Sequence, residues 1–216
     1  MSPPLLAAHR IETPEEAAAA LAAGADLLEI DVHLRRGALE VRHPRRHGPV
    51  LWDREGVRRA RGPSPALGPL LAALPAGSEP MIDLKGGPDG LALAALDAAG
   101  AAGLPRATVT SRRWALLDGL AGRSGVRLAY SAAGRRELGR LLVRPLPPGA
   151  AACVRSDLLD AGTVAAVRRR CPLVMTWDVA DRHHAERLLA LGVGGLVLDD
   201  LALLAALAGA RGREGG

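Results

Sequence analysis

Four short stretches carry residues able to do chemistry: His9-Arg10, Glu29-Ile30-Asp31, His43 and Asp83-Leu84-Lys85. In an extended strand, residues two apart point to the same face. Glu29 and Asp31 therefore present two carboxylates to one side, with Leu28, Ile30 and Val32 on the other. Two inward carboxylates repel each other and lose hydration unless a cation lies between them. Asp83 and Lys85 repeat the same spacing. Three carboxylates make a hard-oxygen set suited to Mg²⁺ or Ca²⁺; the alternative is a buried ion pair with an arginine. His9 and His43 end neighbouring strand-like segments. Two histidines around one metal either ligate it or serve as general acid and base. Arg10 and Lys85 add positive charge, which suits a phosphate ester whose negative charge grows during reaction. His33, His47, His183 and His184 lack such placement and read as surface residues.

Composition sharpens the interest in Lys85. The chain has 216 residues and 28 basic side chains, of which Lys85 is the single lysine; Phe, Asn and Gln are absent. In a chain that uses Arg almost everywhere, a retained lysine marks a place where a compact ammonium serves better than a planar fork. The net charge of +5 does not point to nucleic acid. The arginines are scattered in pairs and triplets among acids, and three Trp and one Tyr offer little for base stacking. A small-molecule phosphodiester needs far less positive surface. No run of about 18 apolar residues suggests a membrane span, and residues 1–9 carry no secretion signal. Cys153 and Cys171 match no metal or redox spacing. A cytoplasmic location is expected; oligomeric state is left open.

The elements that must position these residues read as alternating strands and helices. Strands are predicted at Leu5–Ala8, Leu27–His33, Ala38–His43, Met81–Leu84, Ala107–Thr110, Val126–Tyr130, Ala152–Arg155, Leu173–Trp177 and Gly195–Leu198. Helices are predicted at Gly90–Ala101, Arg112–Ala121, Arg135–Leu142, Leu158–Arg170, Ala180–Leu191 and Leu201–Ala210. A further helix opens at Thr13-Pro14-Glu15-Glu16, with Thr as cap, and ends near Gly24. Pro44–Pro65 reads as a long polar loop, and residues from Arg211 onward as a frayed tail. Two of the nine strands are joined by Arg35-Arg36-Gly37 as a hairpin, which leaves about eight for the sheet. The pattern predicts an α/β fold, a single-domain (β/α)8 TIM barrel. Chemistry in such a barrel collects at the C-terminal strand ends, where the charged stretches fall.

With these residues in view, the chain resembles the glycerophosphodiester phosphodiesterase family. The family's opening His-Arg-Gly is matched by His9-Arg10, its Gly-Ala-Asp by Gly24-Ala25-Asp26, and its Glu-x-Asp-Val by Glu29-Ile30-Asp31-Val32. His43 matches the second histidine and Asp83-Leu84-Lys85 the later Glu-x-Lys. Met175-Thr176-Trp177, Gly192-Val193-Gly194-Gly195 and Leu198-Asp199 match the closing strands. The resemblance implies a metal-dependent barrel hydrolase. Glu29, Asp31 and Asp83 would bind a divalent cation, and His9 and His43 would act as general acid and base. Arg10 and Lys85 would hold phosphate, and Trp177 would line the substrate pocket. The reaction would run through a cyclic phosphate. The chain departs from the family at Ile11 (for Gly), Pro44 (for Asp) and Asp83 (for Glu), and it lacks the family's Glu-Asn-Thr.

Two other readings are compatible with the same residues. One is a catalytically weak or inactive barrel that binds a phosphorylated ligand. The other is an aldolase or isomerase acting on a sugar phosphate, with Lys85 as a Schiff-base nucleophile, a role that the neighbouring Asp83 opposes by favouring the charged amine.

Overall fold

The computed structural model describes residues 3–53, 56–60, 62 and 64–214. Along them run β1 (Leu5–Ala8), α1 (Pro14–Ala22), β2 (Leu27–Arg35), β3 (Ala38–Val41), β4 (Arg45–His47), β5 (Val50–Asp53), β6 (Gly56–Arg59) and α2 (Leu67–Ala72). The second part is strictly alternating. It comprises β7 (Pro80–Leu84), α3 (Leu91–Ala101), β8 (Ala107–Ser111), α4 (Ala115–Asp118), β9 (Val126–Ala132), α5 (Arg135–Val143), β10 (Ala151–Arg155), α6 (Ala161–Arg168), β11 (Val174–Trp177), α7 (Arg182–Ala190), β12 (Gly195–Leu198) and α8 (Leu201–Glu214).

Strands β1, β2 and β7 to β12 pair in parallel. Because β1 pairs with both β12 and β2, the sheet closes into an eight-stranded (β/α)8 barrel. The predicted period of two is realised in β2. Leu28, Ile30 and Val32 belong to the layer between strands and helices, while Leu27 faces the barrel axis. The axis is filled largely by small side chains. Ala7, Ala129, Ala151 and Cys153 pack there with Leu27, Met81, Met175 and Val197. At the β2–β3 hairpin, Arg36 and Gly37 both have positive φ (52° and 82°), the backbone of a two-residue primed turn. Thr13 and Glu16 cap α1 reciprocally, as the Thr-Pro-Glu-Glu run predicts.

Several expectations are corrected. Pro44–Pro65 is not wholly a loop: β4, β5 and β6 form a small antiparallel sheet within it, although Arg54, Glu55, Arg61 and Pro63 lie outside the described residues. Its Arg and Gly content disguises short strands whose apolar side chains, Val50, Trp52 and Val57, stay exposed. Helix α2 forms where no element is predicted. Helix α4 spans only Ala115–Asp118; it is preceded by a turn in which the Arg113 N–H bonds Ser111 Oγ. The tail expected from Arg211 is instead the last turn of α8, which continues to Glu214, with Gly215 and Gly216 outside the described residues. Arg211 Nη1 donates to the Pro4 carbonyl (2.7 Å) and to Asp26 Oδ2 (2.5 Å), anchoring that turn to the start of β1. Among the described residues, no helix is long and apolar enough to cross a membrane.

Candidate active site

The parallel strands bring the predicted residues to one end of the barrel. His9 and Arg10 follow β1; Glu29 and Asp31 point inward from β2; His43 follows β3; Asp83 ends β7 just before Lys85; Trp177 ends β11. Seven of these eight side chains line one cavity of about 1000 Å³, and Asp31, 1% exposed, lies beneath it bonded to His43 and Lys85. The register explains the clustering: β2 and β7 pair with Asp31 beside Asp83.

The two histidines are held differently. His43 Nδ1 lies 2.5 Å from Asp31 Oδ2, and Arg10 Nη2 lies 3.2 Å from His43 Nε2. Because a guanidinium can only donate, this network assigns the proton to Nδ1, donated to Asp31, and a lone pair to Nε2. The His43 backbone N–H reaches Glu12 Oε1 at 3.3 Å. His9 Nδ1 lies 2.8 Å from Asp199 Oδ1, and its Nε2 lies 3.7 Å from Glu29 Oε2. The two imidazole centroids are 6.2 Å apart and nearly perpendicular. Arg10 has φ 59°, and in that left-handed conformation its backbone N–H bonds Glu29 Oε2 at 2.9 Å.

The carboxylates are under electrostatic tension. Burial pushes the Glu29 carboxyl well above its ordinary range, the Asp31 and Asp83 charges reinforce this, and Lys85 offsets only part of it. For Asp83 burial also wins, against the opposing pull of Lys85, and its carboxyl is raised. Asp31 goes the other way: burial is outweighed by the His43 hydrogen bond and by the close Lys85 ammonium, which hold its carboxyl below the usual range. Burial would discharge Lys85, but the charges of Asp83, Asp31 and Glu29 keep it firmly protonated. Such pairing disfavours the neutral amine that a Schiff base needs, as expected from the neighbouring Asp83.

The donor set fits a divalent cation. Oxygens of Glu29, Asp31 and Asp83 lie within 4.8 Å of one another. Lys85 Nζ hydrogen-bonds Asp83 and lies 2.6 Å from Asp31 Oδ1. The latter contact is a close ion pair, and among the described residues the buried Asp31 Oδ1 has no hydrogen-bond partner. Three buried carboxyl groups beside one ammonium make a hard-oxygen set of the kind that holds Mg²⁺ or Ca²⁺.

Two site residues escape the sequence reading. Asp199 follows β12 and is matched there only as part of a closing motif, yet it orients His9. His33 continues the inward period of Glu29 and Asp31 and lines the cavity instead of lying on the open surface. Burial, aided by the Arg42 charge, pulls its pKa down to about 4. Pro44, where the family has Asp, is buried and offers only its carbonyl, which accepts from Arg42 Nη1.

No protein-family model and no curated protein sequence matches the chain significantly. Solved structures do. A protein from Silicibacter pomeroyi DSS-3, provisionally assigned as a glycerophosphoryl diester phosphodiesterase, is 18% identical with a TM-score of 0.75, over 98% of this chain and 95% of that one. A phosphodiesterase from Oleispira antarctica, solved with its product sn-glycerol-3-phosphate, is 16% identical with a TM-score of 0.71, over 97% of each chain. The phosphoribosyl anthranilate isomerase of Thermus thermophilus reaches 0.60 at 14% identity, over 97% of this chain and 99% of that one. At these identities the likeness establishes the fold, and over nearly its whole length that fold is closer to the two phosphodiesterases than to the isomerase.

Proposed function

We propose that the chain is a phosphoric diester hydrolase, a divergent member of the glycerophosphodiester phosphodiesterase family that cleaves glycerophosphodiester-type substrates with the help of one divalent cation. The observation that carries this reading is the convergence of two histidines, Arg10, Lys85, Glu29 and Asp83 on one cavity with Asp31 directly beneath it. The likeness to phosphodiesterases of solved structure supports it.

Glu29, Asp31 and Asp83 hold the cation, Mg²⁺ or Ca²⁺, which when bound polarises phosphoryl oxygens and acidifies an oxygen coordinated to it. Arg10 and Lys85 neutralise the phosphate, and Trp177 lines the pocket for the organic part of the substrate. Arg10 turns from His43 Nε2 to the incoming phosphate and uncovers the lone pair. His43 Nε2 then takes the proton of the substrate hydroxyl next to the diester, whose oxygen attacks phosphorus as the bond to the leaving alcohol breaks. His9, oriented by Asp199, gives its Nε2 proton to the leaving oxygen. In the second half the roles exchange: His9 accepts a proton from the water that opens the cyclic phosphate, and His43 returns one to the ring oxygen that departs.

Replacing either base tests the reading. His9→Ala and His43→Ala should each lower turnover of a glycerophosphodiester panel by about a hundred- to ten-thousandfold with the fold intact. Unchanged turnover in either variant would remove that histidine from the chemistry. Tight binding of phosphorylated ligands with no turnover in the unmodified protein would favour the inactive-barrel reading.

A further inference from the structure

The same cavity has a second wall that diester cleavage does not use. Arg112, Arg113, Arg140 and Arg144, following β8 and on or next to α5, all line it. Three have carboxylate partners. Arg112 bonds Glu137 Oε1 through Nη2 (2.7 Å) and Nε (3.0 Å), Arg113 Nη2 bonds Asp89 Oδ1 (3.0 Å), and Arg144 bonds Asp118. Among the described residues, Arg140 has none. Its guanidinium carbon sits 4.7 Å from the centroid of the Trp114 ring. That ring is a fixed platform: it is 3% exposed, tied to the Ser131 carbonyl at 2.9 Å and set edge-on to Tyr130. A guanidinium stacked on an indole keeps its in-plane N–H donors for a ligand. The cavity, about 1000 Å³, lies at the upper end of ordinary ligand pockets. It therefore has room beyond a diester bound at the carboxylates.

We infer that this wall is a second anion subsite, in which Arg140 reads an acidic group, phosphate or carboxylate, on the alcohol beyond the scissile diester. The inference rests on the hydrolase reading for where the diester sits, and it adds a substrate class: diesters bearing a further negative charge, preferred over neutral ones. Charge alone would also attract anions from a distance. Arg136, exposed like Arg140 and on the same helix but outside the cavity lining, separates the two effects.

The test is calorimetric titration in a His43→Ala background, which does not consume the ligand. The ligands are glycerophosphoinositol and the same compound with one more phosphate on the ring. The phosphorylated diester should bind about ten- to a hundredfold more tightly, the range for a charged hydrogen-bonded contact. Arg140→Gln should bring that ratio close to one, and Arg136→Gln should leave it in place. A ratio near one before substitution, a ratio that survives Arg140→Gln, or an equal loss in Arg136→Gln overturns the subsite. Turnover is scored separately with His43 intact. Hydrolysis without an Arg140-dependent ratio sinks the subsite alone. The ratio without hydrolysis sinks the hydrolase reading and keeps the subsite.

Discussion

Both ends of the barrel bury charge, and they balance it in opposite ways. At the N-terminal floor, Glu79 accepts from Arg127 Nη1 and from Thr108 Oγ1, each at 2.9 Å, with Arg106 Nε at 3.7 Å. Arg127 also donates to Thr108 Oγ1. One carboxylate there meets two guanidinium groups and a hydroxyl, so its charge is balanced from within the chain. At the C-terminal mouth, three carboxylates crowd around one ammonium, Lys85, with Arg10 and His9 at the rim of the same cavity. A buried charge without full compensation costs stability, so an arrangement that keeps such an excess signals a requirement beyond folding. The difference between the ends sets a network that holds the barrel together against one that, on the proposed function, would be completed by a cation and a phosphate.

That contrast can be broken by substitution, and the largest effects belong to the mouth. Lys85→Arg keeps the charge but replaces a point ammonium with a wide fork between Asp31 and Asp83. Turnover of glycerophosphodiesters should fall about ten- to a hundredfold; normal turnover would show that the single lysine is incidental. At the floor, Glu79→Gln should leave kcat unchanged and cost about 2 kcal/mol, read as a fall of about 4–8 °C in Tm. A loss of activity without a loss of stability would make the floor functional too. The smallest change in stability carries the opposite sign. Glu29→Gln removes a buried, repelled carboxylate while preserving shape, so Tm of the chelated protein should rise slightly as metal-stimulated activity disappears. A lower Tm would mean that Glu29 is a structural ion-pair member.

Much of this was legible from residue spacing. The inward pairing of Glu29 with Asp31 and of Asp83 with Lys85 follows from strand periodicity, and the alternation of strands and helices places all of them at one end. His33 continues the same period, yet it reads with His47, His183 and His184 as a surface residue because it does not pair with His9 and His43 at matching strand ends. Asp199 was hidden by distance: it lies 190 residues from His9, and only closure of the barrel between β1 and β12 brings the two together. The arginine wall was illegible because arginine is everywhere in this chain. Nothing in the spacing marks Arg140; its neighbour on Trp114 does. The small β4–β6 sheet was masked by glycine and arginine, and its strands are short enough for loop composition to dominate.

The central claim is that the carboxylates at the mouth hold a divalent cation on which diester hydrolysis depends. Phosphorus NMR of a glycerophosphodiester mixture with the purified protein tests it in one series: untreated, after chelation, and after adding back Mg²⁺ or Ca²⁺. The account predicts that a phosphomonoester signal grows, stops on chelation and resumes with metal. Growth that continues undiminished after chelation would contradict it.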